Sequence, residues 1–144
     1  MNYKPQPMHR KIILRVVSKY FIPMILLFAL YVQFHGDFGP GGGFQAGVIV
    51  AAAFILYAIV FEIGTARRVA PMAVLVTIAC LGVLLYAGVG VANLVYGGRF
   101  LEYGVLAHEP AHGNHIGILI VEIGVGMAVA AVMMIIFFSF ARRR

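Results

Sequence analysis

The chain has 144 residues, of which 62% are apolar or aromatic and 11% charged, and its mean hydropathy is +0.98. A soluble domain carries charge on about a quarter of its residues, so this is the composition of a chain dissolved in lipid. A bilayer crossing takes about 20 apolar residues as a helix, which allows about four crossings and leaves no room for a separate soluble domain. A nucleotide-fold enzyme and a disulfide scaffold are excluded. The net charge of +6 does not make a nucleic-acid binder either, because the basic residues do not form one patch.

In chain order, four apolar stretches are wide enough to span, at about residues 16–34, 44–63, 72–96 and 116–140, forming one membrane domain over residues 1–144. The expected fold is therefore an all-α integral membrane protein with four transmembrane helices. Ahead of the first span, Lys11, Arg15 and Lys19 recur every four residues opposite Ile12, Ile13, Val16, Val17 and Tyr20. This pattern predicts a short amphipathic segment at headgroup level, with Pro23 bending the helix into the bilayer. Its basic side chains serve as a membrane anchor more simply than as a specific lipid site.

Ten of the eleven basic residues precede the first span, lie between the second and third, or follow the fourth; Arg99 is the exception. Positively charged loops stay on the cytoplasmic side, so both termini are expected there. Cys80 lies within an apolar run and has no partner for a disulfide or a thiolate metal site. Small residues, among them Gly43, Gly47, Gly82, Gly88, Ala92, Gly113 and Gly117, allow close backbone approach and predict neighbouring helices, some from other chains.

Glu122 is the acid that stands well inside a span, about six residues past the expected start and flanked by Ile120, Val121, Ile123 and Val125. A carboxyl group at that depth costs several kcal/mol unless it is paired, solvated or protonated. It points to reversible proton or cation binding; the competing reading is a hydrogen-bonded clamp between helices. His115 lies seven residues earlier on the same side and could pass protons inward, although Asn114 before it resembles a helix N-cap and a capping role is simpler.

The segment His108, Glu109, Pro110, Ala111, His112 matches HExxH, but that zinc pattern requires one continuous helix turn. Pro110 disfavours helix at Glu109 and suits a first helical turn, so metalloprotease chemistry is not expected. Glu62 is read as an interfacial ion pair with Arg67 or Arg68, and Asn93 as a hydrogen bond between helices.

Five glycines and Pro40 fall within residues 36–44, at the start of the second span. The glycines Gly41, Gly42 and Gly43 permit positive φ and bare backbone, which in a membrane is tolerated only against protein or water. With His35 and Asp37 supplying charge and Gln45 a polar wall, the turn could line an ion entrance. Composition alone favours a compact hairpin whose glycines admit a neighbouring helix.

The segment from Asp37 to Tyr57, DFGPGGGFQAGVIVAAAFILY, resembles the hallmark of the B subunit of Mrp-type (Mnh-type) multisubunit cation/proton antiporters. Its core is Pro40, Gly41, Gly42, Gly43, Phe44 and Gln45, with Ala46 where the family often has a further glycine. The stretch from Asn114 to Phe137 is similar to the family's last helix, including an acid at Glu122. The resemblance implies a secondary-transporter subunit of a prokaryotic plasma membrane, not an enzyme. It would hold no cofactor and would act with A, C, D, E, F and G type subunits, membrane lipid, Na+ and H+. Glu122 and the Pro40 to Gln45 turn are the positions the resemblance transfers. Three other readings stay open: a purely structural subunit, the equivalent subunit of a membrane-bound hydrogenase-type complex, and a self-contained small transporter acting as a dimer.

Overall fold

A computed structural model describes residues 12–36, 40–107 and 109–141. The helices are α1 (Ile12–Phe34), α2 (Gly43–Phe61), α3 (Ile63–Val69), α4 (Met72–Val95) and α5 (Pro110–Ala141), with a short 3-10 turn at Tyr103–Leu106 between the last two. Four of them, α1, α2, α4 and α5, are long and apolar enough to cross a membrane, and no strand occurs among the described residues.

The helix ends differ from the sequence-based expectation in three places. α1 begins at Ile12, four residues before the expected start of the first span, and Pro23 sits inside it. The described residues thus show one helix through Pro23; Lys11 lies outside them. The second span stops at Phe61, where Glu62 takes φ 77°, and the chain restarts as α3. A left-handed backbone at a non-glycine residue breaks the hydrogen-bond ladder, which separates α3 from α2. The last helix begins at Pro110, six residues before the expected start, because proline lacks the N–H that a first turn leaves unpaired anyway. Asn114 is consequently inside α5 and not its cap.

The helices form a row, α1 against α2, α2 against α5 and α5 against α4, with α1 scarcely reaching α5. The seams are made of small residues, as expected where lipid offers no hydrophobic drive for association and close approach must supply dispersion contacts. A Cβ added to Gly47 would come within 2.6 Å of the Gly126 carbonyl, and one added to Gly43 would overlap the Glu122 carbonyl. Residues four apart on α2 therefore meet residues four apart on α5, in the same direction, so these two helices run parallel. The seam between α4 and α5 is antiparallel: Gly82 faces Gly124 and Ala128, while Gly124 faces Gly82, Leu85 and Tyr86. Gly88 has open space where a Cβ would stand, so it belongs to no seam in this chain.

A buried apolar cluster lies at the α3 end, where Ala51, Ala58, Ala66, Ala70, Leu75, Met134 and Phe138 are buried together. Arg67 secures it. Its guanidinium donates to the Phe138 carbonyl at 2.8 Å and lies 5.6 Å from the Phe138 ring centroid. The last carbonyls of a helix have no partner within it, so α3 caps the end of α5.

At the other end, α5 runs twelve residues beyond Glu122, about 18 Å at 1.5 Å per residue. The loop after α4 lies against this overhang: Tyr103 covers Gly117 and its carbonyl lies against Gly113, while the Phe100 ring sits over Gly90 of α4. Burial raises the Tyr103 phenol above the ordinary tyrosine range, with a further contribution from nearby Tyr86. Asn93, expected to bond across helices, is wholly buried with neither amide atom hydrogen-bonded.

Candidate ion-pathway site

The α2–α5 seam, with Gly43 against the Glu122 main chain and Gly47 against Gly126, places Glu122 level with the α1–α2 turn. A Cβ built at Gly42 would lie 2.9 Å from Glu122 Oε1, and one at Gly36 would lie 2.8 Å from Oε1 and 3.0 Å from Oε2. The carboxylate therefore occupies a space that side chains at 36 and 42 would fill. It stands beside the N-terminus of α2, whose first amides have no partner within the helix and carry partial positive charge.

The turn's shape follows from its sequence. Gly42 has φ 118°, a conformation L side chains rarely adopt, and its N–H donates to the Val32 carbonyl at 3.1 Å. Gly41 lies so close to the same carbonyl that a Cβ would sit 2.7 Å from it. The chain thus folds back tightly on the end of α1, and α2 begins at once with Ala46 N–H donating to Gly42 O.

Around this point the structure gathers oxygen atoms. Gln45 is exposed, yet its Oε1 lies 3.7 Å from the same position above Gly42 that Glu122 Oε1 approaches. One turn further along α5, Gly126 makes room for Gln33 Oε1 and the Gly43 carbonyl. Gln33 is absent from the candidates that the sequence suggests. It is buried, with Nε2 lacking a hydrogen-bond partner, and an amide at that depth inside an apolar helix is the signal that could have found it.

Gln33, Ile123 and Gly126 also line an apolar cavity of about 520 Å³ that extends between α1, α2, α4 and α5 to Phe54, Ala70 and Met134. It begins at Gln33 and Gly126, one turn along α5 from Glu122, and ends near the α3 cluster.

The other expected residues are placed as follows. His35 stacks on Tyr31, ring centroids 5.0 Å apart, at the end of α1 leading into the turn. His115 is exposed on α5, two turns before Glu122. Phe44 is exposed at the first turn of α2, and Pro40 is exposed before it. Asp37 lies outside the described residues, as does His108 of the HExxH match. Glu109 precedes the helix that holds His112, and no three metal-ligating side chains come together among the described residues.

Comparison with known proteins carries the same segments. A family model described as a domain related to the MnhB subunit of Na+/H+ antiporter matches residues 13–135. The chain is 33% identical over 92 residues to the B subunit of the Na+/H+ antiporter of Bacillus subtilis, a match covering 64% of each chain. It is 30% identical over 128 residues to a Staphylococcus haemolyticus protein named as a putative antiporter subunit, mnhB2, covering 87% of this chain and 90% of that one. A Staphylococcus aureus protein of the same name is 29% identical over 136 residues, covering 92% and 96%. The matched span takes in α1, the glycine turn, α2, α4 and most of α5, and with it the meeting of Glu122 and Gly42. The chain belongs to the MnhB family.

Proposed function

We propose that this chain is the B-type subunit of a multisubunit Na+/H+ antiporter in a prokaryotic plasma membrane, and that Glu122 is part of its ion pathway. The membership of the chain in the MnhB family supports the first statement. The second rests on one observation: the Glu122 carboxylate stands in the space left by Gly36 and Gly42, beside the N-terminus of α2.

Such a site can act in two ways. The carboxylate can take up and release a proton, with the polar end of α2 holding its charged form in place. It can also offer oxygen to a small hard cation, together with Gln45 Oε1 and exposed turn backbone. Alternating occupancy by a proton and Na+ is the elementary step of exchange driven by a proton gradient. Both termini on the cytoplasmic side would put the glycine turn on the outer half, with His35 and His115 near it; Asp37, outside the described residues, is the further acid that the sequence suggests for the pathway. The A, C, D, E, F and G type subunits would complete the pathway and cover the apolar cavity.

The test is Glu122→Gln in the assembled complex, reading Na+-dependent proton movement in vesicles with assembly checked on a native gel. A loss of tenfold or more with the complex intact is expected; full activity overturns the pathway role.

A second reading has its own support, because Gly43 fits against the Glu122 main chain as closely as Gly42 fits the carboxylate. In that reading the chain aligns its neighbours and binds no ion, and Glu122→Gln would disrupt assembly itself.

A further inference from the structure

At the opposite end of the molecule from Glu122, α1 and α2 border an open cavity of about 530 Å³ lined by Arg15, Lys19, Ile22, Pro23, Tyr57 and Phe61. Its α1 wall follows helical spacing, since residues 15, 19, 22 and 23 share one face, and its α2 wall is the i, i+4 pair Tyr57 and Phe61. The two rings stack with centroids 4.9 Å apart. The Arg15 guanidinium lies 5.4 Å from the Phe61 centroid, a cation–π contact that holds it at the cavity. Pro23 has no N–H to donate to the Lys19 carbonyl one turn earlier, so this wall carries a backbone oxygen freed from the helix ladder. Among the described residues, no ion pair joins Arg15 or Lys19 to a carboxylate; Glu62, which follows Phe61 in the chain, is exposed.

We propose that this cavity binds the headgroup of an anionic phospholipid, with its phosphate between Arg15 and Lys19. The sequence pattern favours a basic face lying on lipid over a specific lipid site. The structure adds a concave site in which one cation is fixed on a ring and the second follows one turn later. Depth selects lipid over a soluble anion. Arg15 and Lys19 fall in the first two turns of a helix that spans, which puts them at headgroup level. Below them, Ile22 and Pro23 continue the wall as apolar surface that an acyl chain can follow. A guanidinium and an ammonium suit the two habits of phosphate recognition, the planar fork and the point charge.

The test uses the purified complex in detergent and measures retention of phosphatidylglycerol against phosphatidylcholine by native mass spectrometry. Selective retention of phosphatidylglycerol is expected. The double variant Arg15→Gln/Lys19→Gln should weaken it by at least about tenfold. Arg68→Gln, which removes an exposed charge on α3 outside the cavity, should leave it unchanged. Unchanged retention in the double variant overturns the proposal. An equal loss with Arg68→Gln also overturns it, since the attraction would then be diffuse surface charge. Displacement of the lipid by millimolar inorganic phosphate would overturn the choice of a lipid. If the double variant does not assemble, Lys19→Gln alone carries the test, with about a fivefold loss expected and no loss counting against the site.

Discussion

Gly43 of α2 rests on the main chain of Glu122 of α5, so closely that a methyl group at 43 would overlap the Glu122 carbonyl. The residue before it, Gly42, meets the Glu122 carboxylate instead. Adjacent glycines thus hold the two halves of one residue, the first its reactive group and the second its backbone.

Gly43→Ala should accordingly act on assembly. The clash is with backbone on a packed helix, which has no flexible end to give way, so a loss of about 2 kcal/mol or more is expected. Gly64→Ala is the matched control, because a Cβ there meets open space and the residue is exposed. It should be neutral or stabilise α3 by up to about 1 kcal/mol. Thermal stability of the purified complex reads both.

Gly36→Ala should act on transport with a smaller effect on stability. Its Cβ would meet the carboxylate oxygens at 2.8 and 3.0 Å, the movable end of a side chain, and the Gly42 Cα at 3.2 Å. Displacing the carboxylate from its place beside α2 should lower Na+-dependent proton movement several-fold at unchanged complex yield. Wild-type transport with the alanine in place would separate the carboxylate's position from its function.

Arg67→Gln should loosen the end of α5. It removes a charged donor from the Phe138 carbonyl and a cation from the ring beside it, an effect of about 1.5–3 kcal/mol. Hydrogen exchange in the last two turns of α5 should quicken, while the amides near Glu122 keep their protection. Equal exchange in the wild type and the variant would show that the cap adds nothing.

Tyr103 gives an alkaline limit. Its raised pKa means that the folded loop favours the neutral phenol over the phenolate. The stabilisation is fully present below the ordinary value of 10.0 and is lost as pH rises through the higher folded value. The loop over Gly117 should therefore detach in that range, seen as tyrosinate absorbance appearing together with a fall in thermal stability. Tyr103→Phe should remove this pH dependence.

Most of the architecture is legible in the sequence, because four apolar stretches of spanning length leave few other folds and glycine spacing marks where helices approach. Glu122 and the glycine turn stand out for separate reasons, one as an acid in lipid and the other as bare backbone. Their contact is beyond the reach of sequence, since no local pattern links positions 42 and 122, and the α2–α5 register that levels them is set by packing between helices far apart in the chain. Two readings of the turn look like rivals, an ion entrance and a close-packed hairpin. In the structure Gly42 and Gly43 stand side by side, one against the carboxylate and the other against packed backbone. Gln33 and Arg67 escape notice because their importance lies in what they meet across helices, Gly126 and Phe138.

The parallel seam between α2 and α5 also sets an order of events during synthesis. The glycines leave the ribosome about eighty residues before Glu122, and α1 and α2 can pair before α5 exists. The helix carrying the half-buried acid is thus released toward a berth already shaped for it, and its carboxylate need not wait in hydrocarbon for a companion to be made.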